Sequence, residues 1–268
     1  MARACRFVVQ IVKLGGSAIT RKGEDPEIRR DVLERLADEL EPHADEVVLV
    51  HGAGSFGHPI ADAHDLDHGV EADQVAPLSE VHQQVRELNL AVLDTVRTRA
   101  GPCLALSPFG LLSCNDGMPG GWNLVPVHRT LELGTIPILY GDVVLDTQRG
   151  VSVLSGDRIA VELARFLEAE RVIFALDEEG AYSHPPSQDE AELLEEPGLG
   201  DVRRARDRAR KAGPDDATGG MAGKLDCTLA IARDGTQVHL VDGTHEGRVR
   251  QALRGDGPGT RVDPEGQP

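Results

Sequence analysis

Positive charge is scarce in this 268-residue chain, where 28 Lys and Arg stand against 45 Asp and Glu for a formal net charge of −17. That balance excludes nucleic acid and anionic membrane as main partners, because phosphate-rich surfaces are held by basic patches. Long apolar runs are missing as well: no stretch approaches the ~20 residues needed to cross a bilayer. The opening Met-Ala-Arg-Ala-Cys-Arg-Phe lacks the apolar core of a signal peptide, so a cytoplasmic location is expected. Cys5, Cys103, Cys114 and Cys227 are scattered without CxxC spacing, which implies neither a disulfide framework nor a zinc site. Lysine is the scarcest charged residue. Only Lys13, Lys22, Lys211 and Lys224 are present, and every other basic residue except histidine is arginine. An acid-rich, lysine-poor surface is expected of a halophilic protein, whose carboxylate shell stays hydrated at high salt. GC-rich coding is the alternative source of the arginines.

What is present alternates between strand and helix with short Gly-rich connections, the pattern of an α/β protein with a largely parallel sheet. Residues 7–14 read as a buried strand ending in Gly15-Gly16-Ser17. Asp25-Pro26 reads as a helix start, with Ile28, Val32, Leu36 and Leu40 on one face. Further strands are expected over 46–51, 103–107, 151–154, 171–176 and 237–241. Residues 135–146 read as a strand, a Gly-Asp turn and a second strand. Helices are expected over 78–96, from Ser155-Gly156-Asp157 to about 168, over 222–233 and over 247–254. Residues 177–216 form a long polar segment whose basic run, 203–211, reads as a solvated helix face. A lobe boundary is expected near Glu170, giving lobes 1–170 and 171–268 within a single structural unit.

Three glycine-rich loops carry the chemistry. Gly52-Ala53-Gly54-Ser55-Phe56-Gly57 formally matches the dinucleotide fingerprint, but it follows the second strand and lacks the ribose-binding acid downstream. Its glycines still let backbone N–H groups converge on an anion, with His58 next in line. Lys13-Leu14-Gly15-Gly16-Ser17 ends a buried strand in an ammonium group, which is costly unless it meets an anion. Lys224 stands in the first turn after Thr218-Gly219-Gly220-Met221, where it opposes the helix dipole unless a phosphate lies between them. With Lys22 nine residues beyond Lys13, three of the four lysines lie within a few residues of glycine-rich anion loops, which favours phosphoryl chemistry. Asp142 and Asp157 are the acidic candidates. Asp157 is either a helix cap or first-turn acid, or a carboxylate that holds the lysines and helps locate Mg²⁺.

Taken in order, KLGGS at 13–17, HGAGSFGH at 51–58, GDVVLD at 141–146, SGD at 155–157 and TGGMAGK at 218–224 resemble the amino acid kinase superfamily. Within it, HGxGSFGH followed by Pro59, with the GD and SGD motifs, is similar to the isopentenyl phosphate kinase family. The resemblance implies a three-layer αβα sandwich and a homodimer. It also implies transfer of a phosphoryl group from ATP to isopentenyl phosphate, with Mg²⁺. Carried over by motif, Lys13 bridges the transferring group and Lys22 neutralises phosphate. Gly52, Ala53 and Gly54 offer N–H groups to the acceptor phosphate, His58 binds it and Asp157 organises the lysines. Gly57, Gly156 and Asp142 join the acceptor side. Gly15, Gly16, Ser17, Asp177, Gly180, Gly219, Gly220, Met221 and Lys224 join the ATP side, and no residue is assigned as a metal ligand. Leu78, Val81 and Val85 share a helix face that forms either a wall for the five-carbon tail or ordinary core. Ala53, where a third glycine is common, and the acidic Glu178-Glu179 depart from the pattern. The competing readings are a phosphonate (fosfomycin-type) or nucleoside monophosphate kinase, an inactive nucleotide-binding regulator, and an NAD-dependent oxidoreductase.

Overall fold

Runs of aliphatic residues with no polar alternation build strands buried on both faces, the signature of a parallel sheet sandwiched between helices. The computed structural model describes residues 8–21, 23, 25–64, 66, 74–212 and 220–264. Its central sheet uses β1 (Gln10–Leu14), β2 (Val47–His51), β3 (Cys103–Ala105), β4 (Ile136–Tyr140), β5 (Arg171–Leu176), β6 (Gln237–Asp242) and β7 (Thr260–Val262). They lie in the order β7-β6-β5-β1-β2-β4-β3, with only β7 antiparallel to its neighbour. Alternate side chains feed two cores. Ile11, Val48, Val50, Val172 and Phe174 pack under the Gly156–Leu167 and Gly220–Arg233 helices. Val12, Leu14, Val47, Leu49 and Ile173 pack under the Arg30–Leu40, Val75–Arg99 and Arg248–Leu253 helices. The result is the expected αβα sandwich. β1 pairs with β2 on one side and β5 on the other, so the sheet runs unbroken across the Glu170 boundary.

A second sheet of four strands stacks Gly150–Leu154, Asp142–Asp146, Leu112–Asn115 and Met118–Trp122. The two strands read around the Gly-Asp turn therefore belong to different sheets, with Gly141 as the step between them. The last two strands were not foreseen, since Met118–Trp122 reads MPGGW and carries no strand pattern. The buried Asp146 carboxylate gathers the turns beside them, accepting from the Asp116 and Gly117 N–H groups and the Ser152 hydroxyl.

Other local readings need correction. Asp25-Pro26 does not start a helix: Glu27–Ile28 pairs antiparallel with Thr20–Arg21, and the helix begins at Arg30. The polar 177–216 segment contains a helix, Leu199–Ala212. Val202 and Ala205 are buried there, and Arg206 and Arg210 reach Asp226 at 2.6 and 2.5 Å, so its basic run sits on a partly solvated helix as expected. The final strand, β7, was not foreseen. Among the described residues no helix is long and apolar enough to cross a membrane.

Candidate active site

β1, β2, β4 and β5 run in one direction, so the loops after their carboxyl ends meet at one edge of the sheet, where open α/β sheets bind ligands. The backbones there touch. A Cβ at Gly16 would collide with the Gly54 nitrogen, and Gly54 itself has φ +52°, a left-handed conformation that glycine adopts without strain. Thr20 fastens the two loops together: its hydroxyl donates to the Gly16 carbonyl at 2.8 Å and accepts from the Ser55 N–H at 3.1 Å. Ser155 caps the Gly156–Leu167 helix by accepting the Arg158 N–H at 3.2 Å. Asp157 thereby falls in the first turn rather than at the cap, and its side chain turns to the lysines.

These loops enclose a cavity of about 340 Å³. At its centre the Lys13 ammonium lies 2.5 Å from Asp157 Oδ1, and Lys224 lies 3.6 Å from Oδ2. Lys13 is 4 % exposed and Asp157 5 %. Burial pushes the Lys13 pKa below the ordinary lysine value while Asp157 pulls it back. Burial alone would raise the Asp157 carboxyl, but the two lysines hold it at about 2. Two ammonium groups sharing one fixed carboxylate make an anchored cationic centre suited to phosphate oxygens.

The remaining walls differ in chemistry. His58 and the 52–57 loop line one end, with Val81 and Val85 beside them. Ser17, Asp177, Gly220 and Met221 line the other, where the Ser17 hydroxyl donates to Asp177 Oδ1 at 2.7 Å. Asp142 lines the cavity too, yet its carboxylate faces His82, whose Nδ1 lies 2.9 Å from Oδ2. Burial raises the Asp142 pKa to about 6 against the pull of His82.

Of the residues singled out from sequence, Lys13, Gly16, Ser17, Gly52, Ala53, Gly54, Gly57, His58, Asp142, Gly156, Asp157, Asp177, Gly220, Met221 and Lys224 all line this cavity. Gly15 and Gly180 do not. Gly15 donates its N–H to the Ala175 carbonyl at 2.7 Å, and Gly180 packs against Thr260. Lys22 and Gly219 lie outside the described residues. The Gly52 N–H, expected to face an anion, instead donates to the Leu14 carbonyl at 2.9 Å because the β1–β2 ladder continues one residue further. Leu78 joins the apolar cluster with Tyr140 and Val143 behind the wall formed by Val81 and Val85. Sequence reasoning missed Thr20, His51, His82 and Asn89, whose contacts with Ser55, with each other and with Asp142 span 35, 38 and 60 positions and leave no spacing signal.

The amino acid kinase family profile matches residues 9–242. The chain belongs to the amino acid kinase family. It is 34 % identical to the isopentenyl phosphate kinase of Methanothermobacter thermautotrophicus, covering 94 % of this chain and 98 % of that protein. It is 32 % identical to the isopentenyl phosphate kinase of Arabidopsis thaliana over 94 % of this chain and 92 % of the relative. A crystallographic isopentenyl phosphate kinase superposes with a TM-score of 0.82 at 30 % identity, covering 95 % of this chain and all of the other.

Proposed function

We propose that this family member transfers the γ-phosphoryl group of ATP to isopentenyl phosphate, giving ADP and isopentenyl diphosphate. The observation that carries the reading is the Lys13–Asp157–Lys224 cluster, buried between the loop ending in His58 and the start of the Gly220–Arg233 helix. The acceptor phosphate is already ionised and needs no strong base, so catalysis is alignment and charge neutralisation. In this reading Ala53 and Gly54 offer backbone N–H groups to that phosphate and His58 hydrogen-bonds it. Val81 and Val85 hold the five-carbon tail. Lys13 bridges the phosphoryl group in flight, and Asp157 keeps both lysines aimed. Ser17, Asp177, Gly220, Met221 and Lys224 serve ATP.

Mg²⁺ enters as part of the nucleotide substrate. The described residues gather no cluster of three or more His, Cys, Asp or Glu side chains, and kinase sites commonly hold Mg²⁺ largely through substrate phosphates. The acceptor role falls to residues 1–170 and the nucleotide role mainly to 171–268, with Ser17 reaching across, on a shared sheet. The family resemblance supports a homodimer, the lack of a signal-peptide core supports a cytoplasmic location, and the acid-rich, lysine-poor composition supports adaptation to high salt.

An ADP-release screen of purified protein in high KCl tests the substrate. Isopentenyl phosphate is expected to give the highest rate, with dimethylallyl phosphate accepted. Fosfomycin, UMP, carbamate and acetylglutamate complete the panel. Strong turnover of UMP or acetylglutamate with none of isopentenyl phosphate overturns the assignment.

A further inference from the structure

We propose that His51 is a positioning residue: it grips the Gly52 carbonyl from inside the core and so sets the direction of the 52–54 loop toward the acceptor. The inference rests on the reading of that loop as the acceptor-phosphate cradle. His51 is completely buried at the carboxyl end of β2, and its Nδ1 lies 3.0 Å from the Gly52 carbonyl oxygen. A carbonyl only accepts, so Nδ1 carries the proton. The other ring nitrogen, Nε2, lies 3.1 Å from the Asn89 amide nitrogen and accepts from it. Both nitrogens are thus satisfied by a neutral ring of one tautomer. The environment keeps it neutral, since burial and the nearby Lys13 charge hold the His51 pKa down at about 4, even though the Gly52 carbonyl favours the charged form.

The ring cannot drift from this position. It stacks on Tyr140 at 5.4 Å between centroids with planes 15° apart. The His51 carbonyl accepts the Gly141 N–H at 2.9 Å, tying the same residue to the loop after β4. Asn89 stands on the Val75–Arg99 helix, two turns beyond Val81 and one beyond Val85. The chain Asn89–His51–Gly52 therefore joins the helix bearing the apolar wall to the loop proposed to cradle the phosphate. Rotating the Gly52 peptide would break the His51 hydrogen bond and swing the following N–H, that of Ala53, out of the direction the acceptor reading requires, because the Gly52 C=O and Ala53 N–H belong to one rigid peptide plane. His51 and Asn89 touch no reacting atom. They act through that plane.

Three full-length variants test this, each assayed in high KCl with both substrates varied. His51→Leu keeps the bulk and removes the donor. His51→Asn restores an amide N–H near the position of Nδ1, whereas His51→Gln sends its amide toward Asn89 and leaves Gly52 unheld. Losing one buried hydrogen bond predicts a rise of about tenfold in KM for isopentenyl phosphate in His51→Leu. KM for ATP should stay within about twofold. His51→Asn should recover most of the loss and His51→Gln little of it. Long-range ¹⁵N–¹H spectra of the wild type should show a neutral His51 protonated on Nδ1 through pH 6–8. Equal shifts in both KM values, rescue by Gln rather than Asn, or an Nε2-protonated ring overturns the proposal. Should His51→Leu not fold, the Asn and Gln pair still decides it. Wild-type turnover of isopentenyl phosphate tests the underlying reading separately. With a different true acceptor, the same variants should raise the KM for that acceptor selectively.

Discussion

At the His58 end of the cavity the walls are held by buried or part-buried hydrogen bonds: His51 to Gly52, Asn89 to His51, Thr20 to Gly16 and Ser55, His82 to Asp142. At the Lys224 end several of the tying contacts lie nearer the surface. The Ser17–Asp177 hydrogen bond is exposed, and the Gly220–Arg233 helix is tied to its neighbour by Arg206 and Arg210 on a part-exposed Asp226. Buried polar contacts feel a low dielectric and little salt, whereas exposed pairs are screened and individually weak. One end of the site is therefore specified by the core and the other by the surface, and the Lys13–Asp157 pair is buried where they meet. Substitutions at the two ends should differ in size and in salt dependence.

The largest effect is expected at that meeting point. Lys13→Ala removes the buried charge nearest Asp157 and should lower kcat about 10³-fold, with a smaller change in KM, because the charge acts most as the phosphoryl group transfers. Single-turnover quench flow with isopentenyl phosphate measures it. A variant with normal kcat and raised KM would make Lys13 a ground-state binder. The His58 end comes next. His58→Ala should lose about 10²–10³-fold in kcat/KM, as expected for one well-placed donor, and His58→Gln should retain part of that activity. Thermal melting should barely move in either. Near-normal kinetics in His58→Ala would remove the residue from the site, and unfolding would make it structural.

The sequence is a better guide to one end than to the other, for a physical reason. Strand ends, glycine loops and the lysines beside them are local features, so the αβα sheet and the lining residues from Lys13 to Lys224 were legible. The braces were not. His51 sits inside the HGAGSFGH motif, but its partner Asn89 is 38 positions away; His82 and Asp142 are 60 apart. Nothing in spacing or periodicity marks such pairs before the sheet brings them together. Glu27–Ile28 failed for a related reason: its helix-like pattern yielded to a ladder with Thr20–Arg21 formed across a turn. Gly52 shows the limit of reading a motif as a function, since its N–H is spent on extending the β-ladder to Leu14.

The burial of Asp142 beside His82 makes stability depend on pH. The folded-state pKa of Asp142, about 6, lies above the ordinary carboxylate value because of burial. Its contribution to stability is therefore present at low pH and lost as pH rises from about 4 through 6. Asn at this position does not titrate. The stability of Asp142→Asn relative to wild type should accordingly improve by about 3 kcal/mol between pH 4 and pH 7, from roughly two units at 1.36 kcal/mol each. Urea unfolding across that range reads it. A constant difference would mean that Asp142 is ionised throughout.

The smallest effect belongs to the surface end, and salt separates it from the core. Two electrostatic terms act there in opposite directions. Screening weakens the Arg206 and Arg210 pairs on Asp226, each worth under about 1 kcal/mol at low salt. It also relieves the self-repulsion of a chain with net charge −17. The Debye length falls from ~10 Å at 0.1 M to ~3 Å at 1 M, so repulsion summed over the whole surface is removed while each lost pair costs little. Wild-type Tm should therefore rise between 0.1 and 2 M KCl. Asp226→Ala should lower Tm by only about 2–4 °C at 0.1 M, the shift expected from a loss near 1 kcal/mol in a protein of this size, and by less at 2 M. The Asp142→Asn difference, set inside the core, should keep its size at both salt concentrations. A wild-type Tm that stays flat or falls with KCl would reject salt adaptation and leave coding bias as the source of the arginines. An Asp226→Ala deficit that persists undiminished at 2 M would show that its arginine pairs are not held at the surface.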